Sequence, residues 1–139
     1  MPDLEYRVRD NDFKDEEYVI KDELNAYANS AAGLSRMLSG CFCYEGGRMI
    51  GGVTAQITGT TLGVKLLWVD KEYRSRGVGA QLMSKMEEDA RTKGCAVSFV
   101  DTMSYQAPGF YNKQGYVEDV RIADFYAGHD RIFFKKALV

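Results

Sequence analysis

Leu62-Gly63-Val64-Lys65-Leu66-Leu67-Trp68-Val69, followed after four residues by Arg74-Ser75-Arg76-Gly77-Val78-Gly79-Ala80, decides the fold of this 139-residue chain. The first run alternates apolar and non-apolar positions at Leu62, Val64 and Leu66, the period of a half-buried strand. Alternation then fails, because Leu67, Trp68 and Val69 make both faces apolar, which predicts either burial on two sides or a bulge. From Val78 the period changes to helical: Val78, Leu82, Met83, Met86 and Ala90 form one stripe, with Gln81, Lys85, Glu88 and Arg91 facing out. Glu87 and Arg91 are spaced for an i,i+4 pair, and Gly94 suits the position just past the helix end. A strand, a turn holding two glycines and two arginines, and then a helix build an anion cradle. The glycines admit close backbone approach, and the first-turn N–H groups have no partner within the helix.

Outward from this unit, Cys41 to Tyr44, the turn Glu45-Gly46-Gly47-Arg48, and Met49 to Thr58 read as a hairpin, and Gly59-Thr60 turns into the strand from Leu62. On the other side, Cys95 to Val100 reads as a buried strand ending at Asp101-Thr102. Pro108 to Gln114 reads as a short helix stopped by Gly115, and Tyr116 to Phe125 and Arg131 to Lys136 as two further strands. Tyr6-Arg7-Val8-Arg9 alternates as a short first strand. The stretch from the acidic Asp15-Glu16-Glu17 to about Met37 is helix-like, with a break at Gly33. Strands interspersed with helices give a mixed α/β sheet. No linker or repeat divides the chain, so residues 1–139 are expected to form one domain.

Composition narrows function. Apolar residues make 45% and charged residues 27% of the chain, with a net charge of −2, so no global positive field attracts nucleic acid. No apolar run approaches the roughly 20 residues that span a bilayer, and Met1-Pro2-Asp3-Leu4-Glu5 is unlike a signal peptide. The expectation is a cytoplasmic protein without membrane or nucleic-acid partners. Three cysteines do not make a disulfide framework. Cys41 and Cys43 read as small hydrophobes on one side of a strand, and no metal site is expected. The single histidine, His129, sits in the turn sequence Ala127-Gly128-His129-Asp130.

Two nucleotide readings of the Arg/Gly turn fail on residues. Leu82 stands where a dinucleotide fingerprint needs its third glycine, and no G-x-x-x-x-G-K-[ST] loop is present. Instead, Arg74-x-x-Gly77-x-Gly79 after an apolar strand, with Phe110-Tyr111-Asn112-Lys113-Gln114-Gly115-Tyr116 downstream, closely resembles the GNAT-type N-acetyltransferase superfamily. The resemblance runs from about Cys41 to Leu138. It implies a GNAT-like, mostly antiparallel sheet of six to seven strands, with a V-shaped splay between the fourth and fifth strands and about four flanking helices. It also implies acetyl-CoA as cosubstrate. The pyrophosphate of coenzyme A would lie on Arg74, Ser75, Arg76, Gly77, Val78, Gly79 and Ala80, and the pantetheine arm along Leu67, Trp68 and Val69, with a further contact at Ser104.

On the same resemblance Tyr111 is the general acid that protonates the departing thiolate. The reaction implied is acetyl transfer to a primary amine of a small molecule or protein by direct attack, and the alternative is a non-catalytic acyl-CoA-binding sensor or interaction module. Gly63 stands where some relatives carry a glutamate base. Asp101, Glu45 and Asp70 are therefore the open candidates, and none is assigned. Tyr18, Tyr27, Phe125, Tyr126 and Asp130 are candidates for an acceptor pocket for a cation. A monomer or a homodimer fits equally.

Overall fold

The computed structural model describes residues 3–33 and 36–139. The chain divides into two compact units, residues 1–35 and 36–139, where the sequence reading treats it as one domain. In the first unit, α1 spans Lys14–Ala32. Asp15, Glu16 and Glu17 place negative charge at its positive end. Gly33 closes it in the left-handed conformation, its N–H donating to Asn29 O at 3.0 Å. The strand expected at Tyr6-Arg7-Val8-Arg9 does not form. Four alternating residues need a partner strand, and instead Arg7 pairs with Glu5 and Arg9 with Glu16 in local ion pairs. The helix-like stretch expected to continue toward Met37 passes through residues 34 and 35, which lie outside the described residues. Met37 itself is in a strand.

The second unit is a six-stranded sheet. Its strands are β1 (Arg36–Glu45), β2 (Arg48–Thr58), β3 (Thr61–Val69), β4 (Val97–Met103), β5 (Val117–Tyr126) and β6 (His129–Ala137). The spatial order is β1-β2-β3-β4-β6-β5, antiparallel throughout except for β3 with β4. Helix α2 (Val78–Thr92) crosses between β3 and β4, and the short helix α3 (Pro108–Lys113) connects β4 to β5. Together with α1 these make three α-helices and one 3-10 turn, Lys71–Tyr73, among the described residues.

The failed alternation in β3 is a bulge. Thr54 pairs with Leu66 while Ala55 pairs with Val64, so Lys65 is the extra residue. Before it, Leu62 and Val64 are buried against the helices. After it, Leu67 and Val69 pack toward that side, while Leu66 and Trp68 are exposed on the other. The parallel pairing of β3 with β4 covers only Thr61–Gly63 against Val97–Phe99. Beyond that point the two strands share no ladder. This is the expected splay, lying between the third and fourth strands because the Tyr6–Arg9 strand is absent.

One face of the sheet carries the core: Val53, Ala55, Ile57, Leu62, Val64, Ile132 and Phe134 meet Leu82, Met83, Met86 and Ala90 of α2. Cys95 is buried, and Cys41 and Cys43 pack partly against this cluster, as small apolar side chains do. The other face leaves Phe42, Leu66, Trp68 and Phe99 exposed.

Glu87 makes the i,i+4 ion pair that its spacing allows, with Arg91 at 4.0 Å, yet it is only 2% exposed. Its closer partners are Lys136 Nζ at 2.6 Å and the Tyr116 hydroxyl at 3.0 Å. Lys136 also donates to Gln114 O at 2.7 Å, and Tyr116 and Ser98 share a hydrogen bond of 2.7 Å. The network thus ties α2 to β4, β6 and the end of α3. Burial is the main cause that pushes the Tyr116 phenol well above its ordinary value of 10.0. An unfolded chain ionises that phenol near pH 10 while the folded one keeps its proton, so stability is full below pH 10 and falls as pH rises beyond it. Tyr116→Phe is expected to flatten the decline of the melting temperature between pH 10 and 12, read by circular dichroism.

Candidate active site

Where β3 and β4 part, a cavity of about 610 Å³ opens on the helix face of the sheet. Its lining includes Leu67 and Val69 of β3, Arg74 and Ser75 of the turn, and Gly77, Val78, Gly79 and Ala80 at the start of α2. The expected binding stretch is therefore brought together almost whole. Tyr73, Ala107, Phe110 and Gln114 complete the wall. These four had no binding role assigned from sequence. Phe110 and Gln114 lie one helical turn apart in the same motif that presents Tyr111, and that i,i+4 spacing is the signal that marks a shared face.

The turn geometry explains the residue types. Gly77 caps α2 at φ 81°, and Ser75 also has a positive φ of 61°. No side chain caps α2 and no acidic residue occupies its first turn. Its first N–H groups and the positive end of its dipole thus remain for an anion. Arg74 Nε donates to Val69 O at 3.1 Å and so fastens the turn to the end of β3.

Gly79 is needed for a different reason, close approach. A Cβ there would stand 3.3 Å from the Phe110 ring and 3.7 Å from Val69 Cγ2. Branching carbons beyond that Cβ reach into the ring, so Gly79→Val displaces Phe110 from the wall. Isothermal titration is expected to show acetyl-CoA affinity about tenfold weaker, roughly 1.4 kcal/mol.

Two of the expected contacts, Arg76 and Ser104, lie elsewhere, and a third, Trp68, is present through its backbone. Trp68 points to the open sheet face, on the opposite side of β3 from Leu67 and Val69, so only its backbone adjoins the cavity edge. Arg76 stacks over the Tyr73 ring at 4.8 Å and lines a second, smaller groove with Phe42, Tyr44 and Lys85. Ser104 is held by β6, accepting from Asp130 N at 2.9 Å while its own N–H donates to Asp130 O at 2.8 Å.

Tyr111 sits behind Phe110, packed edge-on against Phe110 and Tyr116 and tilted against Phe134. It is 7% exposed. Its hydroxyl joins none of the hydrogen bonds among the described residues, and no buried polar side-chain atom among them lacks a partner. The exposed sliver therefore includes the hydroxyl. Burial first, and then the charge of Asp101, push this phenol above its ordinary value of 10.0.

Of the carboxylates open as bases, Glu45 accepts the Tyr73 hydroxyl at 2.6 Å, and Asp70 caps the 3-10 turn while pairing with Arg48. Both are occupied in holding loops. Of the expected acceptor-pocket residues, Tyr18 and Tyr27 belong to the first unit. Asp130 is taken up by Arg121 and the Asp124 N–H.

Residues 38–118 match the sequence profile of the acetyltransferase (GNAT) domain family. This chain belongs to the GNAT acetyltransferase family. A blasticidin-S acetyltransferase of Streptomyces morookaense is 40% identical to this GNAT chain over 87 residues. The match spans 62% of this chain and 64% of that protein, just under two thirds of its length. An acetyltransferase structure from Agrobacterium tumefaciens superposes with a TM-score of 0.90 at 24% identity, over 96% of this chain and 99% of that one. A streptothricin acetyltransferase from Bacillus anthracis, solved with acetyl coenzyme A, superposes at 0.63 with 20% identity, over 69% of this chain and 60% of that one. These two structures speak to the fold alone, and they share the open, mostly antiparallel sheet. Among the described residues no helix is long and apolar enough to cross a membrane.

Proposed function

We propose that this chain transfers an acetyl group from acetyl-CoA to the primary amine of a small molecule or protein. One observation carries the reading: a single cavity joins the uncapped start of α2 to the edge of β3 that β4 has left. A ligand that fits both ends carries a phosphate at one end and amides along its length. The N–H groups of the first turn of α2 receive the pyrophosphate of acetyl-CoA. The free edge at Leu67 to Val69 pairs with the amides of its pantetheine arm, as an added strand would.

Direct attack balances as follows. The acceptor ammonium loses a proton to water, and the amine lone pair bonds to the acetyl carbon while the C–S bond breaks. The nitrogen sheds a second proton on becoming an amide, and the leaving sulfur gains one from the Tyr111 hydroxyl, which is then reprotonated. One proton is released overall. A backbone N–H at the β3 edge stabilises the carbonyl oxygen as it gains charge.

Blasticidin S heads the acceptor panel because of the relative that shares 40% identity over part of the chain. Titration calorimetry with acetyl-CoA, followed by a thiol-release assay across primary amines, is expected to give binding and amine-dependent release. Binding without release from any amine would leave an acyl-CoA-binding module instead.

A further inference from the structure

The last paired residues of β3 and β4 are Gly63 and Phe99. Along β4, Ser98, Val100 and Thr102 are buried on the helix face, so Asp101 is the next side chain on the open face past the split. Continuing β3 from Gly63 through the bulge brings Leu66 and Trp68 onto that same face, both exposed. A carboxylate thus stands at the mouth of the split, and Phe99, Leu66 and Trp68 share its face.

Asp101 is also incompletely satisfied. Arg131 reaches it through Nε at 2.9 Å and Nη2 at 2.8 Å, and both contacts fall on Oδ2. Oδ1 has no partner among the described residues. Other carboxylates of this end of the sheet are engaged: Asp130 with Arg121 and the Asp124 N–H, and Asp119 with Lys135. The charge of Asp101 is felt at the Tyr111 phenol, which belongs to the helix face.

We propose that Asp101 Oδ1 anchors the acceptor, receiving the ammonium of a cationic primary amine that arrives over the open sheet face, with Leu66, Trp68 and Phe99 against its apolar part. The proposal rests on the amine-acetylation reading. Ammonium on carboxylate is a charge-assisted hydrogen bond, stronger than a neutral one. Arg131 on the other oxygen keeps the carboxylate oriented, and a neutral isostere of the acceptor lacks the attraction. The substrate class follows: amines charged at neutral pH, with an aromatic or aliphatic body.

The test separates binding from turnover. Coenzyme A-saturated protein is titrated calorimetrically with butylamine, putrescine, spermidine and blasticidin S, at low and high salt. At least one amine is expected to bind, about tenfold or more weakly to Asp101→Asn, with Asp101→Glu recovering part of the loss. Raising the salt should weaken wild-type binding and change the Asn variant little. Coenzyme A affinity should be the same in all three proteins, which reports an intact cavity. Failure of every amine to bind the wild type, or equal binding to Asp101→Asn, overturns the anchor. Amine binding lost with Asp101 but unaccompanied by thiol release from acetyl-CoA would instead overturn the acetyl-transfer reading and leave the anchor standing.

Discussion

Tyr111→Phe is expected to lower kcat about 100-fold, at the lower end of the range for loss of a positioned general acid, while acetyl-CoA affinity and thermal stability stay near wild type. The reasons lie in what the hydroxyl does and does not touch. The ring is packed against Phe110, Tyr116 and Phe134, and phenylalanine keeps that packing. The hydroxyl makes no hydrogen bond among the described residues, so its removal should change stability by no more than about 0.5 kcal/mol.

A purely structural tyrosine would show a stability change without a rate change, the reverse of this pattern. The pH dependence sharpens the test. Burial and the neighbouring Asp101 hold the phenol above 10, so it keeps its proton throughout the neutral range. Wild-type kcat should show no loss attributable to Tyr111 below pH 10. In the role proposed for it, so weak an acid would donate a hydrogen bond to the sulfur as charge develops and pass its proton only as the C–S bond breaks. An unchanged turnover number in single-turnover kinetics with the Phe variant would remove Tyr111 from the chemistry.

Much of this was legible in the residues because it depends on local period and turn chemistry. The switch from period two to period 3.6 at Val78 placed the start of α2 and Gly94 its end, and the structure adds Gly77 as the cap. The lost alternation from Leu67 left either two-sided burial or a bulge, and the structure decides for a bulge with Lys65 as the extra residue. The errors arise where the answer depends on a distant partner. Tyr6 to Arg9 has the alternation of a strand but no neighbour to pair with. Ser104, a pantetheine contact only by the family resemblance, has its hydroxyl taken by the start of β6, 26 residues on. Trp68 alternates with the two side chains that face the cavity, so of three successive edge positions the middle one offers backbone alone. Glu87 does meet Arg91 at the i,i+4 spacing, but nothing local reveals its closer partner Lys136, 49 residues away.

That buried pair sets the second large effect. Lys136→Met is expected to destabilise the second unit by about 3–5 kcal/mol, the range for breaking a buried ion pair from one side, with a melting temperature lower by roughly 15–25 °C. Methionine retains the volume of the lysine stem, so the loss reports charge rather than packing. Glu87 is left with its carboxylate beside the Tyr116 hydroxyl and no ammonium, with the longer 4.0 Å contact to Arg91 as its remaining ion pair. Replacing both partners, Glu87→Gln with Lys136→Met, should recover much of the loss, because the unpaired charge and not the missing bond is the costly part.

The pair also has a functional side. Lys136 donates to Gln114 O at the end of α3, and Gln114 lines the cavity. In the single variant, acetyl-CoA affinity measured well below the melting transition should fall further than in the double variant, since a stranded carboxylate under α2 disturbs the helix whose first turn forms the cradle. Equal affinity in the two variants would mean that the network holds the core together without reaching the site.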